Sequence, residues 1–315
     1  MQWRMQNQYS LGVVMAVLAA ILFSTKAVII KLAYLYEVDA VSLLLLRMSF
    51  ALPFYVAIAI KVSLSKESPL SKIPVRDWVF LFSASALGYY LSSFLDFSAL
   101  KFIDAGLGRV ILFIYPTFIA ILAFFWFKER LSKLQVIALV TTYVGLFFVF
   151  GQNVSDVSLD QSFWIGTSLL LLCGFCFASF LVISQWLIPR FGSVAFTSFS
   201  MIAAATYVIV HYLTSHDLSV IFNLHVHVYL YGMGLALVAT VIPSFFMNDA
   251  IKRIGATRVG ILSSIGPICT ILLAFWLLDE RMAIEQIFGA ALVIAGVTLV
   301  SVEKRRKSEL KTVRS

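Results

Sequence analysis

Ten stretches of roughly 20 mostly apolar residues follow one another along this 315-residue chain, each long enough to cross the hydrocarbon core of a bilayer as a helix. They run over residues 10–32, 41–60, 78–99, 104–127, 134–151, 163–187, 194–213, 227–249, 258–278 and 284–302. In hydrocarbon every backbone polar group must be bonded internally, which confines such segments to helices. The expected fold is an all-α polytopic membrane protein with ten transmembrane helices. Only 13% of the residues are charged, about half the usage of a soluble domain, so the apolar surplus must face lipid. The first stretch, with Arg4 ahead of it, is too long for a cleaved leader and is expected to stay as an anchor.

A duplication divides these spans. Residues Ala99 to Phe150 lie on Ala250 to Ser301 without a gap, setting Lys101 on Lys252, Pro116 on Pro267, Glu129-Arg130 on Glu280-Arg281 and Gly145 on Gly296. The first Glu-Arg pair sits among Lys128 and Lys133, the second among Asp279 and Glu285. Five spans per copy is odd, so the second copy is expected to be inverted, as in alternating-access carriers. The units expected are 1–152 and 153–302, with a basic tail at 303–315.

Charge orients the chain. With the N-terminus inside, 18 of the 24 Lys and Arg fall on inner segments; Lys31, Lys101 and Arg281 fall outside, and Lys26, Arg47 and Arg109 within spans. Basic residues accumulate on the cytoplasmic side, so both termini are expected there. The formal charge of +8 thus calls for no nucleic acid, and the tail suits anionic lipid head groups.

Several runs carry a family resemblance: Leu22-Phe23-Ser24-Thr25-Lys26 with Lys31-Leu32, Leu46-Arg47, Ser98-Ala99-Leu100 through Ala105 to Pro116, and Phe127-Lys128-Glu129-Arg130-Leu131 with Gly145. The second copy reads Ala256 to Pro267, Leu278-Asp279-Glu280-Arg281, and Gly289 to Gly296. In these features, over nearly its whole length, the chain resembles EamA-type members of the drug/metabolite transporter superfamily. The resemblance implies a ten-helix inner-membrane carrier of small metabolites, often amino acids and frequently outward. It departs from the small multidrug relatives, which use a glutamate in their first helix. No acid lies between Leu11 and Leu32 here, which counts against cation/proton antiport of that kind.

Ionisable groups in hydrocarbon cost several kcal/mol (roughly 2.5–3.5 on insertion scales) and mark function by default. Lys26, Arg47, Asp96 and Arg109 are expected to share one layer in the outer half of the membrane. The second copy has Phe180, Met247 and Gly260 where the first has Lys26, Asp96 and Arg109. Lys26 either faces the pathway or snorkels to the head groups. Arg47 is expected to pair with Asp96 or cap carbonyls more than to touch substrate, and Arg109 to pair with Asp104. Ser85, Tyr89, Ser92, Ser93 and Asp96 recur at helical spacing, with Tyr90 off the centre of the stripe. Thr240, Ser244 and Asn248 repeat this in span eight, and Ser263, Pro267 and Thr270 in span nine. Such stripes line a cavity between repeats or bond packed helices to one another. Gly106, Gly108 and Pro116 in span four, and Gly260, Gly266 and Pro267 in span nine, are expected hinge or gate positions.

The expected function is a secondary transporter, an exporter of amino acids or related zwitterions. Lys26, helped by Arg47, would take the carboxylate and Asp96 the amino group, with Tyr89, Tyr90, Phe113 and Tyr115 in contact. The alternatives are a carrier of organic anions or sugar-phosphate-like solutes, then a cationic drug efflux protein. Neither an enzymatic nucleophile–base pair nor a nucleotide-binding loop is present, and no cofactor or metal is expected. Cys173 and Cys176 read as packing residues, and His211, His216, His225 and His227 as an interfacial loop cluster. Gly289, Ala291, Ala295 and Gly296 permit close helix packing, which a homodimer could use.

Overall fold

The computed structural model describes residues 2–65, 70, 73–127, 133–151, 161–254, 262–263, 265–281, 283–285 and 287–296. Lys66, Lys72, Lys128, Glu129, Arg130, Leu131, Ala256, Arg258, Gly260 and the tail at 303–315 lie outside these residues. Regular structure is helical throughout the described residues. Helix α1 runs Gln2–Tyr34, α2 Ala40–Ser63, and α3 Val75–Ala99. The fourth expected span is two helices, α4 Ala105–Leu112 and α5 Tyr115–Phe127. Then come α6 Lys133–Gly151, α7 Gln161–Phe191, α8 Ser193–Ser215 and the short α9 Leu218–Phe222. Helix α10 joins Val226–Ala236, Leu237–Val241 and Ile242–Ile254; α11 is Ile265–Leu278 and α12 Ile287–Gly296.

Six of these helices are long and apolar enough to cross a membrane: those at Tyr9–Tyr34, Ala40–Ser63, Val75–Ala99, Gln161–Phe191, Ser193–Ser215 and Val226–Ala250. The protein is an all-α polytopic membrane protein.

Local chemistry sets the ends. Asp39 begins α2 by accepting hydrogen bonds from the Val41 and Ser42 backbone N–H groups at 2.8 and 2.9 Å, satisfying donors that a helix start leaves orphaned. Only Gly192 separates α7 from α8, with φ at 77°, a left-handed conformation that favours glycine. The break between α4 and α5 falls at Phe113 and Ile114, so Pro116 occupies the first turn of α5, where a missing N–H costs nothing. Pro267 stands likewise in the first turn of α11.

Two helices carry a π-helical turn, Ala86–Leu91 in α3 and Leu237–Val241 in α10. Ala86 and Leu237 are separated by the same interval as Pro116 and Pro267. Such turns insert one extra residue and re-aim the side chains beyond it. In the interior, α1 packs on α10 and α11, α7 on α3, α4 and α5, and α2 on α8 and α10. The largest apolar core joins α1, α2, α3, α8 and α10 through residues such as Ile30, Leu43, Met48, Phe97, Val208 and Leu235. Against α6, Gly145 sets its Cα on α12: a Cβ there would stand 2.6 Å from the Gly289 carbonyl oxygen. The small-residue face of α12 is therefore used, at Gly289, within the chain.

Candidate functional site

Four helices carry the ionisable residues of the spans, and three of them meet in ion pairs. From α3, Asp96 is 1% exposed and accepts an ion pair from the α1 Lys26 Nζ at 2.6 Å. The Arg109 Nη2 of α4 reaches both Asp96 carboxylate oxygens, at 3.0 and 3.1 Å. Burying a carboxylate is tolerable only when charge and lone pairs are both matched, and two bases do this for Asp96.

Arg47 of α2 is held differently. Its Nε donates to the Thr240 hydroxyl at 2.7 Å and its Nη1 to the Ser93 hydroxyl at 3.2 Å. The guanidinium carbon stands 5.6 Å from the centre of the Phe97 ring. Thr240 passes the bond on, donating to the Leu235 carbonyl at 2.7 Å across the π turn. The expected Arg47–Asp96 pair does not form, because Lys26 and Arg109 already occupy Asp96. The expected Arg109–Asp104 pair is also replaced: Asp104 lies 3.8 Å from Lys31 instead.

The polar stripes divide by neighbour. Ser93 and Thr240 meet on Arg47, while Ser244 shares a hydrogen bond of 2.8 Å with Tyr55. Tyr55 was not singled out by its sequence context; its signal was its place two turns beyond Arg47, on the same face of α2. Ser92 pairs with Cys173 of α7 at 3.4 Å, and Ser85 bonds back to the Leu81 carbonyl of its own helix. Asn248 donates to Thr197 of α8. Off to the side, Tyr90 shares a 3.0 Å hydrogen bond with His211 of α8, away from Arg47. These last pairs bond helix to helix, the second of the two roles such stripes can take.

An aromatic row runs from the helix break to Tyr89 of α3. Phe113 and Tyr115 stand 5.8 Å apart, Tyr115 and Phe177 5.2 Å, Phe177 and Phe180 6.2 Å, and Phe180 and Tyr89 4.7 Å between ring centres. Phe177 went unnoticed in the sequence, where one phenylalanine among 28 carries no signal. Phe180 fills space that Gly88 leaves, since a Cβ on Gly88 would meet its ring carbon at 2.1 Å.

Several positions expected as hinges have partners in the structure. The Glu280 carboxylate accepts from the Ala105 and Gly106 backbone N–H groups at 2.9 and 3.1 Å. Gly266 offers its carbonyl to Ser24 of α1 at 2.9 Å, and Thr270 donates to the Ser24 carbonyl at 3.2 Å. Gly108 keeps ordinary contact distances to Leu100 and Leu170, and Pro267 is buried. Among the histidines, His225 and His227 stack on Tyr36 with their Nδ1 atoms 3.1 Å apart. No group of three or more metal-ligating side chains gathers among the described residues.

Charged groups buried among membrane helices mark a functional site by default, and carriers place theirs where the helices of two repeats meet. Family comparison agrees: the EamA-like transporter family model matches residues 10–151 and 164–302, and the chain belongs to that family. It is 29% identical to the uncharacterized transporter YcbK of Bacillus subtilis over 91% of each chain. It is also 28% identical to a probable amino-acid metabolite efflux pump of Escherichia coli, over 82% of this chain and 93% of that one. One solved crystal structure superposes with a TM-score of 0.64 at 18% identity, covering 94% of this chain and 98% of that one. At that identity the likeness speaks for the fold alone.

Proposed function

We propose that this protein is a secondary carrier that exports small zwitterionic metabolites, amino acids first among them, across the inner membrane. The observation that carries the reading is the buried charge cluster, where Lys26 and Arg109 meet on Asp96 and Arg47 stands beside Ser93 and Thr240. Both signs of charge, set within apolar helices, suit a solute that carries both. The relationship to the Escherichia coli amino-acid metabolite pump points the same way.

Alternating access would rock two inverted five-helix halves, ten spans in all, about this charge cluster, with both termini cytoplasmic. The packing supports that reading. Exchanging α1 with α7, α2 with α8, α3 with α10, and α4 and α5 with α11 turns the α1 contacts on α10 and α11 into the α7 contacts on α3, α4 and α5. The matching π turns obey the same exchange.

Counterflow in proteoliposomes tests the function: vesicles loaded with one amino acid should take up a labelled one against its gradient. Uptake of organic cations with indifference to every amino acid would refute the reading. A second reading, an organic-anion carrier, is favoured by one observation, three bases (Lys26, Arg47 and Arg109) to one acid (Asp96) in the cluster. Uptake of dicarboxylates without amino acids would select it.

A further inference from the structure

One base of the cluster has no acid within ion-pair distance. Lys26 and Arg109 share Asp96, whereas Arg47, 4% exposed, is bonded to the Thr240 and Ser93 hydroxyls and faces the Phe97 ring, with no carboxylate within 4.0 Å among the described residues. A guanidinium stays protonated and holds five N–H donors in a planar fork. Its hydrogen bonds among the described residues use Nε and Nη1. A buried charge without a counter-charge is strongly unfavourable, and hydroxyl dipoles offset only part of that.

Two features suggest more than a structural arginine. Arg47 lies on α2, while its two hydroxyl partners come from different halves: Ser93 from α3 and Thr240 from α10. Moreover, Thr240 lies within one π turn and Ser93 two residues beyond the other. The guanidinium therefore ties together the two places where the duplicated helices depart from regular winding.

The geometry points to Arg47, rather than Lys26, as the residue that anchors a carboxylate of the transported solute, taken bidentate on the guanidinium fork. This assignment rests on the carrier reading above and names the group its site recognises. A planar fork matches a carboxylate as a lysine point charge does not. A carboxylate on the fork would also compete for the donors now given to Thr240 and Ser93. Occupancy would then loosen both π turns together, which gives solute binding a direct mechanical effect on each half.

The test is the ratio of dissociation constants for an amino acid and its primary amide, measured on the purified full chain across a panel of such pairs. The amide keeps the amino group and shape but loses the negative charge. Wild-type protein is expected to prefer the acid by tenfold or more. In Arg47→Gln the preference should collapse to near unity, and in Lys26→Met it should persist. Arg47→Lys keeps the charge and serves if the glutamine variant does not fold; its preference should fall at least threefold. An unchanged preference in either Arg47 variant overturns the assignment. Loss of the preference in Lys26→Met alone returns the role to Lys26 and leaves the carrier reading intact. A wild-type protein that binds organic cations, and neither acid nor amide, removes both.

Discussion

Glu280 closes over the helix that starts at Ala105, lending its carboxylate to the first two backbone N–H groups of α4. The two residues are 175 positions apart, so the acid of one repeat caps a helix of the other. The helix start carries partial positive charge, which an acid complements.

Losing this cap should cost about 1–2 kcal/mol. Glu280→Ala is expected to lower the melting temperature in detergent and to speed amide exchange at Ala105 and Gly106. Glu280→Gln, which keeps an acceptor without the charge, should fall between. Unaltered exchange at these amides in Glu280→Ala would show the contact to be energetically idle.

Asp96 answers two bases, and removing it should harm more than removing either. Asp96→Asn leaves Lys26 and Arg109 facing each other without an acid, which by the behaviour of broken buried pairs costs about 3–5 kcal/mol. Lys26→Met leaves Arg109 on the carboxylate and should cost less. Adding Lys26→Met to Asp96→Asn should restore part of the loss. Chemical or thermal denaturation of the four proteins reads this cycle, and additive effects would argue against the coupling.

Gly88 is a notch cut for a ring. Because a Cβ there meets Phe180 at 2.1 Å, Gly88→Ala should force α3 away from α7, at about 1–3 kcal/mol for overpacking. Phe180→Ala placed on top should relieve that strain, so the double variant should be more stable than the sum of the two losses. Gly88→Ala with wild-type melting would contradict the packing.

Outside the spans, Asp39 gives a pH-dependent contribution. Burial alone would raise its carboxyl, but the hydrogen bonds from Ser42 and Val41 and the His216 ring at 3.4 Å outweigh that and hold it below its usual value. With the folded value depressed, the stabilisation is complete above the unfolded value of about 3.9 and is lost as pH falls through the folded value. Asp39→Asn should flatten melting temperature against pH in that acidic window. A slope identical to wild type would assign it to other carboxylates.

Much of the architecture was legible because hydrocarbon leaves few choices: helix positions followed from apolar length, and the repeat from matched residues such as Pro116 and Pro267. Span four reads in the sequence as one helix with hinge residues at Gly106, Gly108 and Pro116, and the structure breaks it at Phe113 and Ile114. Partnerships were harder to read. Arg47 and Arg109 both stood within reach of Asp96 by depth, and only the angular placement of α1 and α4 decided which bases it received. Glu280 was visible as a repeat marker, but a contact across 175 residues leaves no local pattern. Tyr55 and Phe177 were hidden because aromatic residues on membrane helices are ordinary, and only packing distinguishes them.

Phe180 of α7 seats in the Gly88 notch of α3, whereas α1, the helix α7 would exchange with in the proposed alternation, holds Lys26 on Asp96. A rocking pair of identical halves would pass between two conformations of equal energy, with no preferred side of the membrane. Here one half contributes a charge tied to Asp96 and the other an oil-like ring wedged against bare backbone. Under the proposed alternation, this difference, together with Met247 for Asp96 and Gly260 for Arg109 in the second copy, breaks the degeneracy and gives the empty carrier a resting side.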